Sequence, residues 1–376
     1  MPDSNTPYTR SDSLEVVHIA MNRRILSIIW VVLFIGGLLL LYARRGQLRP
    51  VVPIGPQVKL NTPLGLPPIL VPRDNPPTAE TIALGRSLYY DPILSVDNSV
   101  SCATCHNPDL AFGDPKPVSI GVGHKLGVRN SPTVLNSVYY SLQFWDGRAA
   151  SLEKQAEGPV QNPVEMAHSL RGVEERLNAN PEYRTEFERA FGPGEITFAE
   201  VEKAIASFER TLVSGNSPFD RWYYGHDETA VSDSVKRGFE VFRDPKKGNC
   251  AVCHTVGEKY ALFTDNKFHN IGVGVNDERV SDVGRFKETE RPEDTGAFKT
   301  PSLRNVAITA PYFHDGSRQT LKQAMDYYIG GGNSNPNLDR EMHALNFLTA
   351  QERADLIAFL ESLTGEMPAN SGPPSK

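Results

Sequence analysis

The chain has 376 residues and a formal net charge of -6, with 39 Lys and Arg against 45 Asp and Glu. That balance, with no Lys/Arg-rich run, excludes a basic face for nucleic acid. The length leaves room for two domains beyond a targeting segment, and 29 prolines with 30 glycines point to a loop-rich body.

From Ile25 to Ala43 the run ILSIIWVVLFIGGLLLLYA carries no charge. As a helix at ~1.5 Å per residue it is about 28 Å long, close to the hydrocarbon thickness of a bilayer. Arg23 and Arg24 precede it and Arg44 and Arg45 follow it, so flanking charge does not choose an orientation. A signal peptide would show a shorter apolar core and a small-residue cleavage site. The expectation is an uncleaved single-pass transmembrane anchor over 25–43, after a short cytoplasmic N-terminus at 1–24. Residues 44–77, proline-rich from Pro50 onward, read as an extended, semi-rigid tether holding the body off the membrane.

Thr78 is placed to cap a helix carrying Ile82, Leu84, Gly85 and Leu88, which Asp91-Pro92 stops. Then comes Cys102-Ala103-Thr104-Cys105-His106, and later a second copy, Cys250-Ala251-Val252-Cys253-His254. Cys-x-x-Cys-His is the attachment pattern for c-type haem: the thiols form thioethers and the His becomes the proximal iron ligand. The two copies use all 4 cysteines of the chain. A zinc ribbon sets its pairs about 15–20 residues apart and has no need of a His after each. A thioredoxin-like motif needs a βαβ context. An amphipathic stretch, Val235 to Phe242, leads into the second motif as the capped helix leads into the first, a weak internal repeat. The fold expected is mainly α: two cytochrome c-like haem domains in tandem, 78–228 and 229–365, after the single transmembrane helix and before a tail at 366–376. Haem attachment of this kind takes place outside the bacterial cytoplasmic membrane, so the catalytic body is expected in the periplasm.

Between the motifs lie Arg129-Asn130-Ser131-Pro132-Thr133-Val134-Leu135-Asn136, then Phe144-Trp145-Asp146-Gly147-Arg148-Ala149, Gln155 to Pro159, and Glu165-Met166. In this order they resemble the bacterial di-haem cytochrome c peroxidase family, which includes the MauG subset, over roughly Thr78 to Gly365. The resemblance implies roles for residues that, taken singly, are bland: Glu165 as a surface acid, Trp145 as a core aromatic, Asn130 as a turn residue. It makes His106 the proximal ligand of the peroxide-reacting haem and Glu165 its distal acid–base carboxylate. Gln155 becomes a distal amide, and Trp145 the aromatic between the haems. Asn130, with the main chain at Thr309 and Pro311, becomes a Ca2+ site between them, chemically apt for a hard ion. One departure stands out. Where familiar peroxidases carry a His that caps the first haem at rest, this chain has Val122, in Ser119-Ile120-Gly121-Val122-Gly123-His124. Valine cannot bind iron, so the first haem is expected open unless His124 reaches round.

For the second haem, His254 is the proximal ligand. The resemblance places its distal ligand at Tyr328, where typical peroxidases have Met and the MauG subset has Tyr; Met325 lies one turn earlier. A phenolate stabilises ferric iron and lowers the potential, whereas a thioether raises it. His269 and His314, in stretches that also resemble the family, read equally as hydrogen-bonding or catalytic. The function expected is reduction of H2O2 to water with electrons from a periplasmic donor, a small cytochrome c or a cupredoxin. The alternatives are a MauG-like, peroxide-dependent oxidation of an aromatic residue on a partner protein, and a membrane-anchored electron carrier without catalysis. A distal acid argues against the last. The sequence does not choose between a monomer and a homodimer.

Overall fold

The computed structural model describes Trp30, Leu33 and residues 51–374. The expected cytoplasmic N-terminus and anchor lie outside these residues, apart from Trp30 and Leu33. Among the described residues no helix is long and apolar enough to cross a membrane.

Thr78 caps α1 (Ala79–Tyr90) through a capping box with Thr81, as its position suggested, and Asp91 ends the helix. The first haem motif forms a single turn, α2 (Cys102–Cys105). Then follow α3 (Leu152–Gln161), α4 (Leu170–Asn178), α5 (Pro181–Phe191), α6 (Phe198–Glu209) and α7 (Pro218–Tyr223). The second half has α8 (Asp233–Arg243), α9 (Phe286–Thr289), α10 (Leu321–Ile329) and α11 (Ala350–Glu361), with the second motif in a 3₁₀ turn at Cys250–Val252. Among the described residues, strands are confined to two-residue ladders: β1 (Phe268–His269) pairs antiparallel with β4 (Phe298–Lys299), and β2 (Val275–Asn276) with β3 (Arg279–Val280). The molecule is mainly helical, with two tandem cytochrome c-type halves.

The internal repeat is a repeated helix crossing. In the first half α1 crosses α6 so closely that a Cβ on Gly85 would lie 1.9 Å from Ala204 O; in the second α8 crosses α11, and a Cβ on Gly238 would lie 1.9 Å from Asp355 O. Only glycine lets two backbones meet at that distance. Each crossing anchors its own apolar core, one around Leu84, Val173 and Ile205, the other around Phe239, Phe263 and Phe359. The stretch 212–227, which precedes the boundary expected at 228/229, contains α7. By packing α7 sides with the second core, since Phe219 stacks edge-on against Phe239, Phe263 and Phe359.

The tether expectation needs correction for residues 51–77. They are extended and lack helices, as their prolines dictate, yet they are bound down along the body. Lys203 Nζ donates to Asp74 O (2.7 Å), Asn75 Nδ2 to Glu153 Oε1 (2.7 Å) and Tyr139 Oη to Pro67 O (3.0 Å). Ala261 N, in the second half, donates to Gly65 O (3.1 Å), as does the buried Arg304. Proline-rich backbone keeps its carbonyls free, and the body supplies buried donors for them. The segment is a strap across both halves. The tail also lies down, with Arg86 Nε donating to Gly372 O (2.6 Å).

Candidate active site

One cavity of about 390 Å³ holds most of the first-haem residues: Cys102, Cys105, His106, Asn130, Trp145, Gln155 and Glu165 all line it. His106 Nδ1 lies 3.0 Å from Pro132 O, which makes Nδ1 the protonated nitrogen and leaves Nε2 as an iron ligand. Burial lowers the His106 pKa, favouring the neutral, ligating form. Burial also pushes the Cys102 thiol up to about 12, with Glu209 and Cys105 adding to the rise. These residues fit a covalently attached haem c.

Glu165 stands just beyond α3, which carries Gln155. The helix ends at Asn162, and the Asn162-Pro163 turn folds back so that Asn162 Nδ2 donates to Glu165 Oε1 (2.6 Å). Glu165 Oε2 is left without a partner among the described residues. Burial raises the Glu165 pKa, while the Asn162 bond and Arg148 act against the rise. The loop before it presses against the backbone that carries this side chain: Val122 N donates to Glu165 O (2.8 Å), and a Cβ on Gly121 would lie 2.2 Å from Val164 O and 2.6 Å from Glu165 Cα. Val122 is buried in the core beside it. His124 is exposed and does not line the cavity.

Trp145 sits at the junction of the halves. Its Nε1 donates to Asn130 O (2.9 Å), and its O accepts from Lys299 N (2.8 Å) of β4. Asn130 Nδ2 donates to Lys116 O (3.0 Å) and Asn130 N to His314 O (2.7 Å), which brings this residue beside the loop containing Thr309 and Pro311. Asn130 Oδ1, Thr309 O and Pro311 O accept no hydrogen bond among the described residues.

Around the second motif, His254 Nδ1 lies 2.9 Å from Phe263 O, the same arrangement as at His106. Burial lowers the His254 pKa and pushes the Cys250 thiol up to about 12. Burial likewise raises the Tyr328 pKa, and the thiols of Cys253 and Cys250 add to the rise. Met325 is packed in the second apolar core. His269 is held between Asp339 and Asp265, with Nε2 3.0 Å from Asp265 Oδ2. Cys253 and these two carboxylates push His269 up to about 10. Cys253, Asp265 and His269 come within 4.8 Å of one another. Once Cys253 is a thioether it carries no charge, and the set becomes an imidazole ring bonded between two carboxylates rather than a metal site. His314 stacks on Phe298 at 3.6 Å between ring centroids.

Two contributors are not evident from local motifs. Asn162 looks like an ordinary turn residue before proline. Lys299 comes from the other half of the chain, yet it lines the first cavity, with Nζ donating to Leu142 O (2.8 Å) and lying 3.6 Å from the Tyr140 ring centroid. Burial brings its ammonium down to about 7. The only hint was its place in the Phe298-Lys299-Thr300-Pro301 stretch.

Two haem-attachment sites in tandem cytochrome c-type domains, one with a half-buried acid over an open cavity, define a di-haem cytochrome of the enzymatic kind. Residues 79–228 match the family model described as di-haem cytochrome c peroxidase, and 235–364 match that of cytochrome c. The chain is 45% identical over 299 residues to the methylamine utilization protein MauG of Methylorubrum extorquens, covering 78% of this chain and 81% of that one. It is 37% identical over 302 residues to cytochrome c551 peroxidase of Pseudomonas aeruginosa, covering 79% and 82%. Among solved structures, a MauG-like protein associated with microbial copper homeostasis superposes with a TM-score of 0.74 at 33% identity, covering 81% of this chain and 95% of that one. The chain belongs to the di-haem cytochrome c peroxidase family, MauG-like proteins included.

Proposed function

We propose that the protein reduces H2O2 to water at the first pocket, with electrons delivered through the second from a periplasmic donor such as a small cytochrome c or a cupredoxin. The observation that carries this reading is Glu165: a half-buried carboxyl whose Oε1 is tied to Asn162 and whose Oε2 is free among the described residues, in the cavity that His106 lines. Haem c, held by Cys102, Cys105 and His106 and by Cys250, Cys253 and His254, supplies the iron that binds peroxide and exchanges electrons. The chain's own part is proton handling and alignment. Glu165 Oε2 takes the proton from the near peroxide oxygen and returns it to the departing one, and the raised pKa brings its affinity closer to that of the groups it serves. The Gln155 amide orients peroxide by hydrogen bonding. Val122 keeps the distal position free of a competing ligand. Trp145 would join the two pockets electronically, and the Tyr328 phenol would be a ligand for the haem held in the second.

Tyr328 also supports a second reading. A phenolate ligand holds the second site at low potential, suited to storing an oxidising equivalent for use on an aromatic residue of a partner protein. Mixing the fully ferric holoprotein with H2O2, without a donor, separates the two. A long-lived oxidised spectrum supports the MauG-like reading. Inertness until one electron is added supports the ordinary peroxidase. If H2O2 is left unconsumed even with reductant present, both are wrong and a plain electron carrier remains.

The apolar run at 25–43 supports a single-pass anchor in the bacterial inner membrane, with the strap and both haem halves in the periplasm. Asn130, Thr309 and Pro311 are proposed to hold Ca2+ between the halves.

A further inference from the structure

The segments around Trp145 meet at Arg129, while Arg148 Nη1 also donates to Asp146 Oδ1 at 2.9 Å. Asp146, which follows Trp145 in the chain and is 2% exposed, accepts Arg129 Nη1 at 2.6 Å. The other edge of the same guanidinium forms a two-point pair with Asp282 of the second half, Nε to Oδ2 at 2.7 Å and Nη2 to Oδ1 at 2.9 Å. Its face lies 5.3 Å from the centroid of Phe298, which precedes Lys299, the residue whose N–H holds Trp145 O. Asn130, next to Arg129, accepts the indole N–H of Trp145 and donates its own N–H to His314 O. Arg285, also of the second half, completes the set by donating to Asp146 O (2.9 Å) and Gly147 O (3.0 Å).

We infer that Arg129 is a positioning residue for electron exchange between the two haem pockets: it ties Asp146 of the first half to Asp282 of the second and so fixes Trp145 at the junction. The chemistry needs arginine. A planar guanidinium serves a carboxylate on each edge with directed N–H bonds, whereas a lysine ammonium is a point charge that cannot span both. Removing one carboxylate from a half-buried network leaves the cation partly unpaired, so the remaining groups rearrange. Electronic coupling through Trp145 depends on its placement against both pockets, and the segments that place it all meet at this guanidinium. In the step concerned, one electron leaves the second pocket and enters the first; Trp145 and Arg129 finish in the state in which they began, and no proton moves through the clamp. The inference rests on the reading of Trp145 as the link between the pockets.

The test uses holoprotein with both haems attached, loaded with one electron and mixed with H2O2, while the second haem's absorbance reports the departure of that electron. Asp282→Asn, at a half-exposed site, and Arg129→Lys are each expected to slow the transfer by about tenfold or more, in line with the cost of small misplacements remote from the reacting atoms. Asp282→Glu is expected to restore most of the rate. Cyanide affinity at the ferric first haem, which a general loosening of the fold would change, is expected to stay the same in all three. Unchanged transfer in Asp282→Asn and Arg129→Lys, with Trp145→Phe slow, overturns the clamp alone. Unchanged transfer in Trp145→Phe as well overturns the Trp145 reading and the clamp with it.

Discussion

The two haem sites are nearly identical where they attach and unlike where they react. Each has Cys-x-x-Cys-His, a proximal imidazole whose Nδ1 is bonded to a carbonyl, and a glycine-tight crossing of two helices behind it. Their other faces diverge. Over His106 lies a cavity lined by Glu165 and Gln155; near Cys250 and Cys253, whose thiols raise its pKa, is the phenol of Tyr328. Attachment is therefore a local property of a pentapeptide. Reactivity is a property of what the rest of the chain brings to the opposite face.

The largest expected effect breaks the first site alone. Glu165→Gln keeps the shape and the Asn162 contact but removes the proton carrier, so peroxide turnover is expected to fall by about 10²–10⁴-fold, as for loss of a general acid–base group. Both haems should remain attached by mass spectrometry; turnover near the parent level would remove Glu165 from the mechanism. The converse change is Tyr328→Met. A thioether in place of the phenolate is expected to raise the second haem's reduction potential by on the order of 0.1 V or more, leaving the first unchanged. Spectroelectrochemical titration reads both at once, and an unmoved potential would mean that Tyr328 is not the ligand.

Gly121→Ala sharpens the comparison by disturbing position rather than chemistry. Its new methyl would meet Val164 O at 2.2 Å and push the loop carrying Glu165. Turnover is expected to drop about tenfold or more, with the second haem's spectrum intact; equal damage at both haems would point to a folding defect. The smallest effect concerns Glu209, buried on the first cavity with Oε2 unpaired. Burial raises its pKa from the ordinary 4.5 to about 8. Between these values the folded chain holds a proton that the unfolded chain has released. Stability therefore falls as pH rises through that window. Glu209→Gln should flatten this part of the unfolding profile, measured by thermal midpoint of the holoprotein from pH 5 to about 8; an unaltered slope would assign the pH dependence elsewhere.

What was legible beforehand followed from local chemistry. The Thr78 cap, the Asp91 stop and the haem pentapeptides are each decided within a few residues. The strap was half legible: prolines specify extended backbone, but not that Gly65 and Asp74 carbonyls would find Arg304 and Lys203, residues far along the chain. Asn162 and Lys299 were hidden for the same reason. An asparagine before proline is ordinary until the turn returns it to Glu165, and a lysine in the second half gives no sign that it ends in the first cavity. Arg129 lies in a recognisable motif, but its place between Asp146 and Asp282 is purely tertiary.

The claim that one motif serves two unlike irons is tested most directly by electron paramagnetic resonance of the resting ferric holoprotein, before and after cyanide. The structure predicts one high-spin signal, from the open His106 site, that cyanide converts to low spin. It predicts a second signal, already low-spin from His254 and Tyr328, that cyanide leaves unchanged. Two low-spin signals at rest, both indifferent to cyanide, would contradict the open first site and with it the division of labour between the pockets.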